Sequence, residues 1–146
     1  MSVAADLVTL LNATSTVTSL VVTNNKTGTK AIRPDKLSQN DVFTGSLGGI
    51  EIHQTSTEYE NDLNGSGKTA WVKILIDCVT MASLSANNLA DKVIAVLEPF
   101  RGATAAGFID GIELLDRKGE WAATDDGRET GEYVVEVEIH VFYIAN

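Results

Sequence analysis

One stretch, Glu132 to Ala145, most constrains the fold of this chain, because its side chains alternate between two kinds. The first set is apolar and consists of Tyr133, Val135, Val137, Ile139, Val141 and Tyr143. The positions between them are Val134, Glu136, Glu138, His140 and Phe142. A side-chain period of two over this length predicts a long β-strand with one apolar face and one charged face. A terminal strand this regular, without a catalytic constellation, is typical of structural and assembly proteins.

The composition predicts one globular domain that spans residues 1–146. A chain of 146 residues buries roughly 70% of its unfolded surface, which is enough for one core. The 20 acidic and 11 basic residues leave a formal charge of -9, the wrong sign for a protein that grips phosphates by counterion release. Direct nucleic-acid binding is therefore disfavoured, and an acidic surface would repel a passing polyanion.

The single cysteine and the N-terminal sequence favour an intracellular protein. Cys78 has no second cysteine to pair with, so we expect no internal disulfide and a reducing compartment. The first residues lack a basic segment, and no apolar run approaches the roughly 20 residues of a membrane span. We expect an unprocessed cytosolic product without a membrane anchor.

The N-terminal half predicts one helix and three strands. Val3 to Leu11 has the spacing of an amphipathic helix, and Thr16 to Thr23 is rich in β-branched residues, which favours a strand. A long polar connection follows from Lys26 to Gly49, with a short extended piece around Ala31 to Arg33. The predicted hairpin strands are Ile50 to Thr57 and Thr69 to Thr80, joined through the turn signal Asn64-Gly65-Ser66-Gly67. Within the second arm, the core face should consist of Val72, Ile74, Ile76 and Cys78.

The C-terminal half predicts a second helix and a second hairpin. Ser83 or Ser85 can cap a helix that runs to about Leu97. Gly107 to Leu115 then forms a strand that pairs with the terminal one across a charged loop, Asp116 to Gly131. The predicted fold class is α+β: an antiparallel sheet of about four to five strands with two helices packed on one face.

No motif in the sequence supports catalysis or cofactor binding. Gly67-Lys68-Thr69 follows Asp62 where a phosphate-binding loop needs glycine, and a strand follows instead of a helix. His53 and His140 are the two histidines, and their spacing suggests neither a catalytic triad nor metal chelation. We therefore predict a protein that is not an enzyme and has no cofactor and no metal. If activity were found, Glu136, Glu138 and His140 would be the cluster to test, because they share one strand face.

The charged residues are better candidates for a partner or subunit interface. Glu136 and Glu138 lie on one face, where a basic neighbour such as Lys73 or Arg117 could contact them across a subunit boundary. Trp121, inside the charged loop, either packs back onto the sheet or docks into a partner. The candidate interface residues are Glu58, Asp62, Lys68, Lys73, Arg117, Lys118, Trp121, Asp125, Asp126, Arg128, Glu136 and Glu138.

Three segments together carry a resemblance to a known family. They are Trp71-Val72-Lys73-Ile74-Leu75-Ile76-Asp77, Asn88-Leu89-Ala90-Asp91-Lys92-Val93-Ile94-Ala95-Val96-Leu97, and Tyr133-Val134-Val135-Glu136-Val137-Glu138-Ile139-His140-Val141-Phe142. With these three segments in this order, the chain resembles the tail terminator, or tail completion, proteins of tailed bacteriophages. The resemblance covers roughly Ile50 to Ile144 together with the N-terminal helix, and it rests on element order and pattern. The connection from Lys26 to Gly49 is longer than expected for that family, and the loop from Asp116 to Gly131 has no residue-level match to it.

The resemblance implies a non-enzymatic ring protein of the virion tail, assembled in the host cytoplasm. Such proteins form a hexameric ring that caps the tail tube, stops its polymerisation and docks to the head connector or stopper. The partners implied are therefore further copies of the chain, the tail tube protein and the connector, with DNA passing through the ring without specific binding. Two alternatives remain open: another neck or connector-ring protein, or a small non-enzymatic ligand-binding domain.

Overall fold

The computed structural model describes residues 2–60, 69–123 and 129–145. In chain order the helices are α1 (Val3–Asn12), α2 (Ser15–Thr18) and α3 (Ser83–Leu97). The strands are β1 (Ile32–Pro34), β2 (Gly49–Glu60), β3 (Thr69–Thr80), β4 (Gly102–Ala103), β5 (Gly107–Ala123) and β6 (Glu129–Ala145). None of the described helices is both long and apolar enough to span a bilayer. The predicted hairpin turn Asn64-Gly65-Ser66-Gly67 lies outside the described residues.

The predicted fold class is wrong in its sheet and its helix count. The six strands form one mixed sheet in the order β1-β2-β3-β6-β5-β4, and this sheet makes a half-barrel with three short helices. β1 runs parallel to β2, whereas the other neighbouring pairs are antiparallel. The pattern missed β4 and indicated β1 only as a short extended piece, because strands of three and two residues are too short to show a side-chain period.

One face of the sheet carries the core. α1 packs over β1 and β2, and α3 packs over β3, β5 and β6. The predicted core face of β3 is confirmed, since Val72, Ile74, Ile76 and Cys78 are buried. On β6 the buried residues are Val135, Val137, Ile139, Val141 and Tyr143. The alternation in these two strands therefore identified one continuous buried surface, formed where β3 pairs over its whole length with residues 133–144 of β6.

The second hairpin is longer than predicted, and most of the predicted loop from Asp116 to Gly131 is strand. β5 continues to Ala123, and β6 begins at Glu129. Charged residues alternate along this part of β5: Lys118 pairs in register with Glu136, while Arg117 points to the helices and donates to Asp91. Because both faces of this segment carry charge, its sequence lacks the apolar alternation that marks a half-buried strand.

The stretch Thr16 to Thr23 is not the strand that its β-branched residues predicted. It begins as α2 and then makes isolated bridges, from Val21 to Gly48 and from Thr23 to Lys30. Val17 and Val21 are fully buried, so tertiary packing overrides a weak local propensity here. The predicted caps of the second helix are also wrong, because the N-cap residue of α3 is Ala82.

The connection between α2 and β2 is organised around one buried carboxylate, Asp41. Its Oδ1 accepts hydrogen bonds from Asn24 Nδ2 at 2.8 Å and from Arg33 Nη2 at 2.9 Å, and its Oδ2 accepts from the Ser38 N–H at 2.8 Å. Burial alone would raise the pKa of Asp41, but these donors outweigh it and lower the pKa to about 2. The long connection is thus held in place by a network of buried hydrogen bonds. The extended piece predicted around Ala31 to Arg33 corresponds to β1.

Candidate assembly surface

The sheet face opposite the helices carries an excess of carboxylates. Register places on one side of the sheet the residues Glu51, Glu58, Asp77, Glu113, Asp116, Glu120, Glu136 and Glu138, together with Lys73, Lys118, His53 and His140. We call this set the acidic face. It holds eight carboxylates and two lysines among the described residues, so it accounts for most of the chain's net charge of -9.

Asp77, near the middle of the acidic face, is its most perturbed carboxyl group. The pKa of Asp77 is raised to about 6: burial is the largest cause, the neighbouring Glu136 adds to the shift, and His53 opposes it. Among the described residues, the buried Oδ1 atom of Asp77 has no hydrogen-bond partner. Asp77 therefore keeps its proton to a higher pH than an exposed aspartate does, mainly because it is buried and in part because its neighbours are acidic.

His53 lies at the centre of three carboxylates. Its Nε2 is 3.3 Å from Glu51 Oε1 and 3.7 Å from Asp77 Oδ2, and its Nδ1 is 3.6 Å from Asp35 Oδ1. Asp35 has a φ of 95°, a conformation that is costly for a residue other than glycine. The candidate ligand atoms of Glu51, His53 and Asp77 lie within 4.8 Å of one another, and such a set could hold a divalent cation.

Two ion pairs cross the acidic face. Lys73 Nζ is 3.5 Å from Glu138 Oε1, and Lys118 Nζ is 3.5 Å from Glu136 Oε1. Glu138 therefore has the lysine neighbour that the sequence suggested, but within one chain. Arg117 does not contact either glutamate, because it lies on the helix side, where Nη2 donates to Asn87 O at 3.1 Å.

An aromatic cluster occupies one end of the acidic face. The ring centroids of Trp71 and His140 are 4.6 Å apart, and those of Trp71 and Phe142 are 4.8 Å apart. His140 therefore packs between charged and aromatic neighbours, as a structural strand residue does. A cluster of Glu136, Glu138 and His140 does share the face, as the strand period predicted.

The predicted interface residues are divided between the two faces. Lys73, Lys118, Glu136 and Glu138 lie on the acidic face, as does the exposed Glu58. Trp121 lies on the helix side, where its ring meets Tyr133 edge-on at 5.1 Å while 43% of it stays exposed. It thus packs onto the sheet and keeps nearly half of its surface exposed, and docking to a partner stays a prediction. Outside the described residues lie Asp62, Lys68, Asp125, Asp126 and Arg128.

A groove on the helix side bears on the ligand-binding alternative. It has a volume of about 620 Å³ and runs between Gly45 and the first turns of α3, where Leu84 is 82% exposed. The groove is open and its lining includes Asn87, Asn88 and Asp91. An exposed leucine beside an open groove is more typical of a protein contact than of an enclosed ligand site.

Comparison with known proteins gives one informative result. No protein-family model matches the sequence, and no curated protein matches it. Among solved structures, a chain from "Virion of native gene transfer agent (GTA) particle" has a TM-score of 0.66 and 17% identity. The match covers 99% of this chain and 96% of that chain. The two proteins therefore share a fold over their whole lengths.

Proposed function

We propose that this protein is a structural subunit of a phage-type virion and, within it, a tail terminator. The shared fold with a virion chain over 99% of this sequence carries the proposal, and the family resemblance of the sequence agrees with it. In this role, copies of the chain form a ring, expected to be a hexamer, that caps the tail tube. One surface of the ring matches the tube subunit, and the opposite surface docks to the head connector or stopper and cannot add another tube ring.

The acidic face supports the further proposal that this side of the sheet lines the channel of the ring. DNA has to move through a tail channel without being trapped, and a wall with excess negative charge repels the phosphate backbone. The helix side then faces outward, with α3 and the groove beside Leu84 available to neighbouring virion proteins. The location proposed is the virion tail, after assembly in the host cytoplasm.

The role proposed is non-enzymatic, and the chemistry of the acidic face is consistent with it. Asp77, Glu51 and His53 are grouped, but the residues around them offer no nucleophile paired with a base. Another neck or connector-ring protein is the nearest alternative, since the same charge and fold would suit any ring on the DNA path.

A tube-growth assay tests the terminator role. Purified tail tube protein is allowed to polymerise with and without this chain, and tube lengths are measured by electron microscopy. A terminator shortens the tubes and is found at one tube end. Unchanged lengths, with binding to the connector alone, would favour the neck-protein alternative, and binding to neither would contradict a tail role.

A pair of charge-reversal variants tests the orientation of the acidic face. Glu120→Lys adds positive charge to that face, whereas Glu98→Lys, at an exposed position at the end of α3, makes the same net change on the helix side. If the acidic face lines the channel, the first variant should bind short linear duplexes at least tenfold more tightly than the second, with a steeper salt dependence. Equal affinities would contradict a channel-facing sheet.

A further inference from the structure

The sheet has two open edges among the described residues. β1 pairs with β2 only from Ile50 to Ile52, so β2 is unpaired on its outer side from His53 onward. β4 pairs with β5 only at Phe108 and Ile109, which leaves the outer side of β5 open to Ala123. Rows of unpaired backbone groups of this length are templates for another strand.

The strand directions make these two edges compatible with each other. β2, β3, β6 and β5 alternate in direction, each antiparallel to its neighbour. When copies are related by rotation about a ring axis, β5 of one copy meets β2 of the next in opposite directions. Four alternating strands per copy therefore continue the antiparallel pattern from one copy into the next. An edge contact of this head-to-tail kind closes into a ring and leaves no free edge.

We propose that neighbouring subunits join by antiparallel pairing between the open edge of β5 in one copy and the open edge of β2 in the next. This inference rests on the ring proposed above and names the contact that builds it. The pairing makes the acidic face continuous around the channel. The occupant of each edge is thus a second copy of this chain.

The side chains along the two edges fit this pairing. The β2 edge has an uncharged run, Gln54-Thr55-Ser56-Thr57, without the lysine or proline that blocks edge pairing. On β5, Leu114 and Leu115 are 37% and 41% exposed, and a neighbouring strand would cover part of both. Lys118 and Arg117, which could otherwise guard the β5 edge, are engaged within the chain with Glu136 and α3.

Bulges on both edges shape the contact. β2 has an irregularity between Gln54 and Ser56, and β5 has one between Leu114 and Asp116. Bulges bend a strand and increase its twist, so they restrict pairing to a partner of matching curvature. The open stretch of β5 is longer than that of β2, which leaves room for the stagger that tilted strands need when a sheet closes.

Engineered disulfides between copies test the contact. One copy carries Ser56→Cys, and a second, tagged copy carries cysteine at Gly111, Glu113, Asp116 or Lys118, one position at a time. Cys78 is fully buried and stays out of reach of the oxidant, and Glu98→Cys on the tagged copy is the matched control. At least one of the four positions should give a covalent dimer in more than half of the chains, and the control should give almost none.

The controls separate failure of the contact from failure of the ring. Covalent dimers from Ser56→Cys alone would indicate a two-fold contact and overturn the proposal. Rings of the expected mass without cross-links at any of the four positions would overturn the edge contact while the ring stands. A monomer by mass that also forms no ring on tail tube ends would overturn both.

Hydrogen exchange on the unmodified protein gives a measurement that needs no variant. In the ring, amides within 53–60 and 110–121 should exchange at least tenfold more slowly than in the dilute monomer. Rates that are the same in ring and monomer would overturn the edge contact.

Discussion

Replacing Asp77 by asparagine should stabilise the protein near neutral pH. In the folded chain the pKa of Asp77 is raised from 3.8 to about 6 by burial, by Glu136 and by Glu51, with His53 opposing. The folded state therefore binds this proton more tightly than the unfolded state, and stability falls as pH rises from 3.8 to about 6. A shift of roughly two pKa units corresponds to about 3 kcal/mol.

The free energies of unfolding of Asp77→Asn and of the wild type, compared across pH, measure how much the ionised Asp77 destabilises the fold. Both proteins are unfolded with urea at concentrations that keep them monomeric. Above pH 7 the free energy of unfolding of the variant should be about 3 kcal/mol higher than that of the wild type. Below pH 3.8 the two free energies should coincide, because Asp77 is then neutral in the folded and in the unfolded wild type. Asp116→Asn, an exposed carboxyl on the same face, should change stability by less than about 0.5 kcal/mol. A variant that is less stable than the wild type at pH 8, or a difference that does not vary with pH, would refute the account of Asp77.

Three further substitutions test other parts of the fold by chemical unfolding. Asp41→Asn should lower the free energy of unfolding by about 2 kcal/mol at pH 7, because the pKa of Asp41 is lowered to about 2 in the folded chain. The ionised carboxylate contributes this stability above pH 3.8, and the contribution is lost as pH falls through 2. A difference between variant and wild type that persists at pH 2 would contradict this explanation. Gly107→Ala should lower the free energy of unfolding by about 3 kcal/mol or more, because the added Cβ would collide with the backbone oxygen of Ile144. Gly111→Ala on the same strand is the control, since its Cβ would meet nothing within 4 Å. Equal losses of stability in the two variants would contradict the collision at Gly107. Arg117→Ala should cost about 1–2 kcal/mol by removing the hydrogen bonds to α3, and full recovery in Arg117→Lys would contradict the role of its two-pronged geometry.

The elements with a long side-chain period were predictable from the sequence. β6 and β3 alternate over their whole lengths, and α3 has an apolar stripe, so burial on one side dictates each element. Pairing between β2 and β3 and between β5 and β6 then followed from chain order, whereas the pairing between β3 and β6 was seen only in the structure. β4 and the end of β5 were not predictable, because a two-residue strand has no period and the charged end of β5 has no apolar side.

Only part of the acidic face was predictable, because the sequence does not show the register between neighbouring strands. The side-chain period predicted that Glu136 and Glu138 share one face of β6, and that Lys73 and Asp77 share one face of β3. It could not align β2 with β3, because the irregularity between Gln54 and Ser56 changes which residues share a face. The group of Glu51, His53 and Asp77 therefore became visible only in the structure.

The solution mass of the purified protein, measured by light scattering over a range of concentrations and salt, tests whether the chain forms a ring. We predict a closed ring of fixed mass, expected at six times the 15.6 kDa chain, or a monomer that becomes a ring only on tail tube ends. A mass of one chain at every concentration, together with no binding to tail tubes, would contradict it.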